Sequence, residues 1–265
     1  MLTENTLFGV RDKVQIAIDR IRQFEPPEGY YVAFSGGKDS CVVLDLVKRA
    51  GVKYDAHYNL TTVDPPELVY YIREHHADVE VHKPKETMWQ LIARKGMLPM
   101  RTRRYCCEVL KEGGGKGRLV VTGVRWAESV RRSKRRMVET CMTDNSKRYL
   151  HPIIDWTEYD IWEYIHTNDL PYCSLYDEGF KRIGCILCPM ETNLKNIERH
   201  IKIWPKFYSA YSRAAEKAYP KMVEGRIKNG LDPRFSTWQE WFSWWIWQRK
   251  GARKIDPDQT VIFEG

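Results

Sequence analysis

Tyr30-Tyr-Val-Ala-Phe-Ser-Gly-Gly-Lys-Asp-Ser-Cys-Val-Val-Leu44 is the stretch that decides the fold. Its first five residues, aromatic and small apolar with one β-branched valine, read as a short buried strand. Ser35-Gly36-Gly37 breaks that run, and a helix is predicted from about residue 39 to 50, closed by Gly51. Two glycines let the backbone turn tightly, so that consecutive N–H groups face one point just outside the helix N-terminus. The helix dipole adds partial positive charge there, and an anion fits. Ser35 and Ser40 supply hydroxyls, and Lys38 adds a full charge for an outer phosphate. Asp39 suits phosphate poorly, which assigns it to a Mg²⁺ ion on a pyrophosphate. The bland alternative is a Gly-Gly turn without a ligand; strand, six-residue loop and helix together disfavour it.

Outward from the loop, residues 10–23 are predicted as a surface helix ending before Pro26-Pro27. Further strands are predicted at 54–60, 79–82 and 118–122, with a helix after Pro65-Pro66. Strands separated by helical segments imply a parallel twisted sheet with helices on both faces. Past about residue 190 the strand signal fades into helices at 193–203, 205–228 and 237–250, then a short tail, Val261-Ile-Phe263. The expected organisation is therefore a nucleotide-binding α/β domain over 1–190 and a helical C-terminal region over 191–265.

Composition is that of a folded globular protein, 43% hydrophobic and 29% charged. No run of eighteen apolar residues marks a membrane span, and Met1-Leu-Thr-Glu-Asn-Thr6 lacks the basic start and apolar stretch of a signal peptide. A cytoplasmic protein without a membrane partner is expected. Net charge is +8, concentrated in Arg101–Arg104 and Arg131–Arg136. Such an excess fits an anionic partner, nucleotide or nucleic acid, or a solvated basic face. Of seven cysteines, four form two tight pairs, Cys106–Cys107 and Cys185–Cys188. In a reducing compartment that pairing fits metal or redox chemistry.

Ser35–Ser40 resembles the S-G-G-x-D-S loop of the ATP pyrophosphatases, which cleave ATP between its α- and β-phosphates. It differs from the G-x-x-x-x-G-K-[ST] loop of γ-phosphate-transferring ATPases. Gly123-Val-Arg125-Trp-Ala-Glu128-Ser129-Val-Arg-Arg132 resembles the G-x-R-x-x-E-S-x-x-R segment of the phosphoadenosine-phosphosulfate reductase family. His151–Trp162, Leu170–Tyr172, Leu175–Phe180 and Ile183–Cys185 are similar to later stretches of the same family, in the same order. Residues 61–67 resemble its second nucleotide-contacting loop, which implicates Thr61. The resemblance implies an adenine nucleotide alpha-hydrolase-like fold. It also implies that Arg125 and Arg132 meet phosphate or sulfate, and that Gly123 admits the nucleotide. The family's adenosine-phosphosulfate reductases hold a 4Fe–4S cluster on a tandem Cys-Cys and a distant Cys-x-x-Cys. By resemblance Cys106, Cys107, Cys185 and Cys188 take that role; a zinc site or a dithiol pair are the alternatives.

Two departures from the reductases shape the functional expectation. No cysteine follows Cys188 in this sequence, whereas the reductases use one on a C-terminal tail; Asp256–Gly265 offers no replacement. The loop also keeps both lysine and aspartate, as in ATP-splitting relatives. The expected activity is ATP-dependent adenylation of an acceptor, ahead of sulfur insertion into tRNA or DNA, with ATP, Mg²⁺ and a 4Fe–4S cluster as cofactors. A sulfur donor protein and a second copy of the chain are the other expected partners. With four cysteine ligands the cluster has no open iron, so its expected role is to polarise the site or carry electrons. A reductase of adenosine phosphosulfate or its 3′-phosphate is the second reading, and a non-catalytic nucleotide- or nucleic-acid-binding regulator the third.

Other candidates compete with plain packing. Cys41, opening the helix behind the loop, is a sulfur-carrier candidate but more often a small packing residue. Cys141, Cys173, His151 and His166 read as structural. Thr237–Trp247 holds five of the ten tryptophans, with Trp238, Trp241, Phe242 and Trp245 on one helical face. That stripe fits base stacking, or more commonly a helix docked on a core.

Overall fold

Two short paired strands precede the first helix, reaching into the stretch where the sequence pattern predicts that helix to begin. β1 (Thr3–Thr6) pairs antiparallel with β2 (Gly9–Asp12), and α1 (Lys13–Gln23) begins only after it. The cause is local: the Asp12 carboxylate accepts from the amides of Val14 and Gln15, fixing the helix start at residue 13. The computed structural model describes residues 2–7, 9–141 and 146–247. The expected tail at 261–263 and the end of the expected 237–250 helix lie outside the described residues.

β3 (Tyr30–Ala33), α2 (Lys38–Ala50), β4 (Tyr54–Asn59), α3 (Pro66–His75) and β5 (Glu80–His82) follow in alternation. After α4 (Met88–Lys95) and α5 (Tyr105–Leu110) come β6 (Leu119–Val121), β7 (Val138–Thr140), β8 (Arg148–Leu150) and α6 (Glu158–Thr167). Three helices finish the described chain: α7 (Leu194–Ile203), α8 (Pro205–Lys228) and α9 (Trp238–Trp247). The six-stranded sheet has the order β5-β4-β3-β6-β8-β7, parallel except for β7 at one edge. An α/β fold with helices around a mostly parallel sheet is therefore present, as the pattern predicts.

β3 leads through α2 to β4 on one side, while its other neighbour, β6, arrives from later in the chain. The strand order reverses between them, and open α/β sheets bind ligands at the carboxyl ends of strands flanking such a switch. α2 buries Val42, Val43, Leu44, Leu46 and Val47, and ends on Gly51 at φ +69°. That left-handed cap is the stop the sequence predicts.

The chain divides into two compact units, but not at residue 190. One unit comprises Met1–Leu60, Asp64–Pro84 and Lys111–Gly184; the other comprises Thr61–Val63, Lys85–Leu110 and Cys185–Gly265. All four paired cysteines thus group with the helices. In that second unit α4 packs on α8, and α9 packs on α8 as well. Trp241, Phe242 and Trp245 are buried, and the Trp245 indole N–H donates to the Pro99 carbonyl at 2.7 Å. These three rings are core, so the base-stacking reading does not apply to them.

Candidate functional site

In the sheet-bearing unit the loop after β3 is braced mainly by its own serines. The Ser35 amide donates to Ser40 Oγ at 3.2 Å, and the Ser40 hydroxyl donates to the Gly37 carbonyl at 2.7 Å. Gly36 has φ +70°, and a Cβ there would lie 2.7 Å from the Leu68 and Ile72 Cδ1 atoms of α3. Only glycine satisfies both constraints without strain. The Lys38 amide donates to the Tyr176 hydroxyl at 3.0 Å. Lys38 is buried: its Nζ lies 3.2 Å from the Lys181 carbonyl and 3.2 Å from Glu158 Oε1, above the Tyr176 ring.

Beside the loop lies the segment after β6. A Cβ on Gly123 would come within 2.9 Å of the Asp39 backbone carbonyl, so this glycine lets the two loops touch. Arg125 is 2% exposed and forks between Asp39 Oδ1 at 2.6 Å and Glu158 Oε2 at 2.8 Å. Burial pulls the Arg125 pKa down, but the Asp39 and Glu158 carboxylates outweigh it and raise the net value. Burial likewise opposes ionisation of Glu158, and Lys38 and Arg125 reverse that, holding its carboxyl below the usual range. Lys38, Asp39, Arg125 and Glu158 thus form one alternating network of two cations and two anions. Arg132 pairs with Glu128, whose other oxygen accepts from the Arg125 amide at 3.0 Å.

Ser35–Ser40, Gly123 and Arg125 therefore lie together, with Arg132 joined through Glu128. Asp39 and Arg125, which sequence reasoning assigns separately to metal and phosphate, here engage each other. Thr61 belongs to the second unit, where its hydroxyl oxygen lies 3.6 Å from Cys185 Sγ. Sequence reasoning missed Glu158 and Tyr176 as site residues. Both lie in stretches that carry the family resemblance; the signal for Glu158 was an acid directly after Thr157, the residue that caps α6.

In the second unit Cys106 and Cys107 sit on α5, and Cys185 and Cys188 flank a tight turn. The Cys188 amide donates to the Cys185 carbonyl at 3.2 Å, with Leu187 left-handed at φ +52°. The Cys106 thiol is pushed up first by a hydrogen bond with Cys107, then by burial, then by the charges of Cys107, Cys188 and Cys185. A thiol whose ionisation is opposed by neighbouring sulfurs suits a positively charged metal core, which would offset that repulsion. Among the described residues, the trio whose ligand atoms all fall within 4.8 Å is His57, Glu80 and His82, not a set of these cysteines. A single tetrahedral zinc ion needs sulfurs about 3.8 Å apart, whereas a four-iron cluster spaces its ligands more widely.

The remaining candidates settle as packing. Cys41 is buried against the Gly36 carbonyl and the Tyr71 hydroxyl, and burial pushes its thiol up to about 12. That is the opposite of an activated sulfur carrier. Cys173 is buried, and the Cys141 amide donates to the Lys147 carbonyl at 2.9 Å. His151 is buried between Thr122 and Glu139, and His166 stacks on Trp162. Of the basic run, Arg135 is tied to Glu139, leaving Arg131, Lys134 and Arg136 exposed without a described ion pair.

Residues 29–191 match the family model described as phosphoadenosine phosphosulfate reductase domain. An uncharacterized protein of Methanocaldococcus jannaschii is 32% identical over 216 residues, covering 76% of this chain and 44% of that protein. An adenosine 5'-phosphosulfate reductase of Oceanobacillus iheyensis is 30% identical, covering 61% of this chain and 71% of that one. The crystal structure of phosphoadenylyl-sulfate reductase from Candida auris superposes with a TM-score of 0.50 at 21% identity, over 64% of this chain and 87% of that one. The chain spans under half the length of the archaeal relatives it matches. Among the described residues no helix is long and apolar enough to cross a membrane. With the family model covering well over half its length, and with the glycine loop and the Gly123–Arg132 segment meeting at the sheet's switch point, this chain belongs to the phosphoadenosine phosphosulfate reductase domain family.

Proposed function

We propose that the chain is an ATP-dependent adenylating enzyme that cleaves between the α- and β-phosphates, acting in sulfur transfer to a nucleic acid. The observation that carries this reading is the loop itself. Its lysine and aspartate are intact and lie at the switch point, on a helix N-terminus, with a buried arginine alongside. Loop amides and Lys38 hold the pyrophosphate, and Arg125 and Arg132 steady the α-phosphate or acceptor; Asp39 is the residue that would hold a Mg²⁺ ion, which would neutralise pyrophosphate charge. An acceptor oxygen attacks the α-phosphorus, the bond to the bridging oxygen breaks, and pyrophosphate leaves with that electron pair. Adenylated acceptor remains, and a sulfur nucleophile from a donor protein then displaces AMP. For nucleotide to enter, phosphate replaces Glu158 as the partner of Lys38 and Tyr176 releases the Lys38 amide.

Cys106, Cys107, Cys185 and Cys188 are the residues that would hold a 4Fe–4S cluster, which supplies electron transfer or local polarisation when bound. Exposed Arg131, Lys134 and Arg136, together with Arg101 and Arg103, support a polyanionic acceptor, tRNA or DNA, whose binding weakens steeply with salt. The relatives named adenosine 5'-phosphosulfate reductase favour a second reading, in which the sulfonucleotide is reduced to sulfite and AMP by a thioredoxin-type dithiol.

The test is product identity. Incubation of ATP with bulk tRNA or DNA and a persulfide donor should yield AMP and pyrophosphate, and Lys38→Ala should lose about 10²-fold or more of the rate. ADP and phosphate as products would overturn the assignment. Sulfite from adenosine phosphosulfate, with no ATP consumed, would establish the second reading instead.

A further inference from the structure

A separate cluster of ligand-type side chains sits on the sheet, made of residues the proposed chemistry does not use. β4 and β5 are parallel neighbours, with His57 opposite Glu80 and Asn59 opposite His82. The two-residue period of a strand puts His57, Glu80 and His82 on one face. His57 Nδ1 lies 2.7 Å from His82 Nε2 and 3.4 Å from Glu80 Oε2. His57 is 8% exposed, its ring stacked on Tyr31 with centroids 4.1 Å apart. The His82 and Glu80 side chains are 39% and 65% exposed, so the cluster opens toward solvent.

The other side of His57 is equally defined. Its Nε2 meets the Asp55 carboxylate, which Arg118 grips through Nη2 at 2.6 Å. An ionised carboxylate only accepts, so Nε2 carries the hydrogen and Nδ1 presents a lone pair toward His82 and Glu80. A carboxylate behind an imidazole is the arrangement that fixes the tautomer and ring orientation of a metal-binding histidine.

We propose that His57 Nδ1, His82 Nε2 and the Glu80 carboxylate form a three-ligand site for a divalent transition ion of the zinc or cobalt type. Two imidazoles and one carboxylate favour such ions over Mg²⁺ or Ca²⁺, which prefer all-oxygen shells. The two facing ring nitrogens share one hydrogen; an entering ion takes its place. His82 then carries its hydrogen on Nδ1, which faces Glu80 Oε1 at 3.7 Å. Metal–nitrogen bonds of about 2.0–2.1 Å set tetrahedral nitrogens roughly 3.3 Å apart, so the rings must part by about 0.6 Å. The half-exposed His82 can make that movement while buried His57 stays fixed. The solvent-facing side leaves a fourth position for water or an exogenous ligand.

Cobalt titration of the cluster-loaded protein tests this, because nitrogen–oxygen sites show d–d bands without the thiolate-to-cobalt charge transfer of cysteine sites. Wild type should bind one such ion. His82→Gln should weaken it at least tenfold, and Asp55→Asn, by the same orienting logic, about 10–100-fold. Lys38→Ala should retain wild-type cobalt affinity while losing ATP cleavage, which separates this site from the nucleotide reading. Circular dichroism controls for folding, and His82→Gln removes a side chain half in solvent. Wild-type affinity in His82→Gln, or cobalt bound only with a thiolate charge-transfer band, overturns the proposal.

Discussion

The phosphate loop and the cysteine quartet are built by opposite routes. Ser35–Ser40 is assembled from six consecutive residues, and much of its bracing (Ser35 on Ser40, Ser40 on Gly37) is internal. The quartet joins Cys106–Cys107 to Cys185–Cys188 across almost eighty residues, and each pair alone is only a turn or a helix face. The loop carries its hydrogen-bond donors and positive charge on one contiguous segment, with Glu158 and Tyr176 holding the Lys38 ammonium and amide that a ligand would take over. In the quartet the Cys106 thiol is pushed up by its hydrogen bond with Cys107, by burial and by the charges of the other three cysteines. The loop is shaped by its own backbone and serines, whereas the cysteine pairs come together only through the fold.

The largest expected effect lies in the quartet. Anaerobically purified protein should contain about four iron and four sulfide per chain. Cys106→Ser or Cys185→Ser should bleach it nearly completely. Iron, sulfide and zinc analysis decides the point: a colourless wild type with stoichiometric zinc would falsify the cluster assignment. The loop should behave otherwise. Lys38→Ala is expected to lose about 10²-fold in rate with iron content unchanged, since its cation is not part of the quartet.

That difference explains what was legible in the sequence. The loop, α2, the parallel sheet and the long C-terminal helices follow from contiguous patterns, and all are present. The N-terminal strand pair was missed because β1 and β2 are exposed, with Val10 at 72%, and carry no buried alternation to reveal strands. α4 and α5 were missed because each is under nine residues long. The boundary near 190 marked a change from strands to helices, whereas contacts place 85–110 with the C-terminal helices. Within the site, Gly123 and Arg125 were found by resemblance. Glu158 and Tyr176 reach the loop through contacts with Lys38 more than a hundred residues distant in sequence, which no local spacing records.

A smaller effect probes what supports the loop from behind. Gly36, Cys41, Tyr71 and His76 form a buried chain: Cys41 contacts the Gly36 carbonyl, and Tyr71 bridges Cys41 and His76 Nε2 at 2.8 Å. His76 Nδ1 is buried without a hydrogen-bond partner, and burial lowers the ring's pKa from 6.5 to about 4. Folded protein therefore keeps His76 neutral while the unfolded chain takes up a proton below pH 6.5. The associated stability is fully present above pH 6.5 and lost progressively as pH falls toward 4. The loss should be on the order of 2–3 kcal/mol, read by urea unfolding across that window. His76→Gln should flatten the slope; an unchanged slope would show that the proton goes elsewhere.

The smallest effect separates backbone strain from crowding within the loop. Gly36 and Gly51 share nearly the same left-handed backbone, φ +70° and +69°. An alanine at either position pays the left-handed penalty of about 1 kcal/mol. At Gly51 the new methyl meets nothing within 4 Å, whereas at Gly36 it meets Leu68 and Ile72 at 2.7 Å. Those neighbours are flexible side-chain ends, so they can shift, but only by displacing α3 packing behind the phosphate site. Gly36→Ala should therefore cost about 1 kcal/mol more than Gly51→Ala, a further 2–4 °C in melting temperature. Gly36→Ala should also weaken ATP binding, because relieving the clash with Leu68 and Ile72 shifts the loop backbone, while Gly51→Ala should leave binding unchanged. Equal losses in the two variants would mean that the loop tolerates crowding, and that its pre-organisation rests on the serine hydrogen bonds rather than on contact with α3.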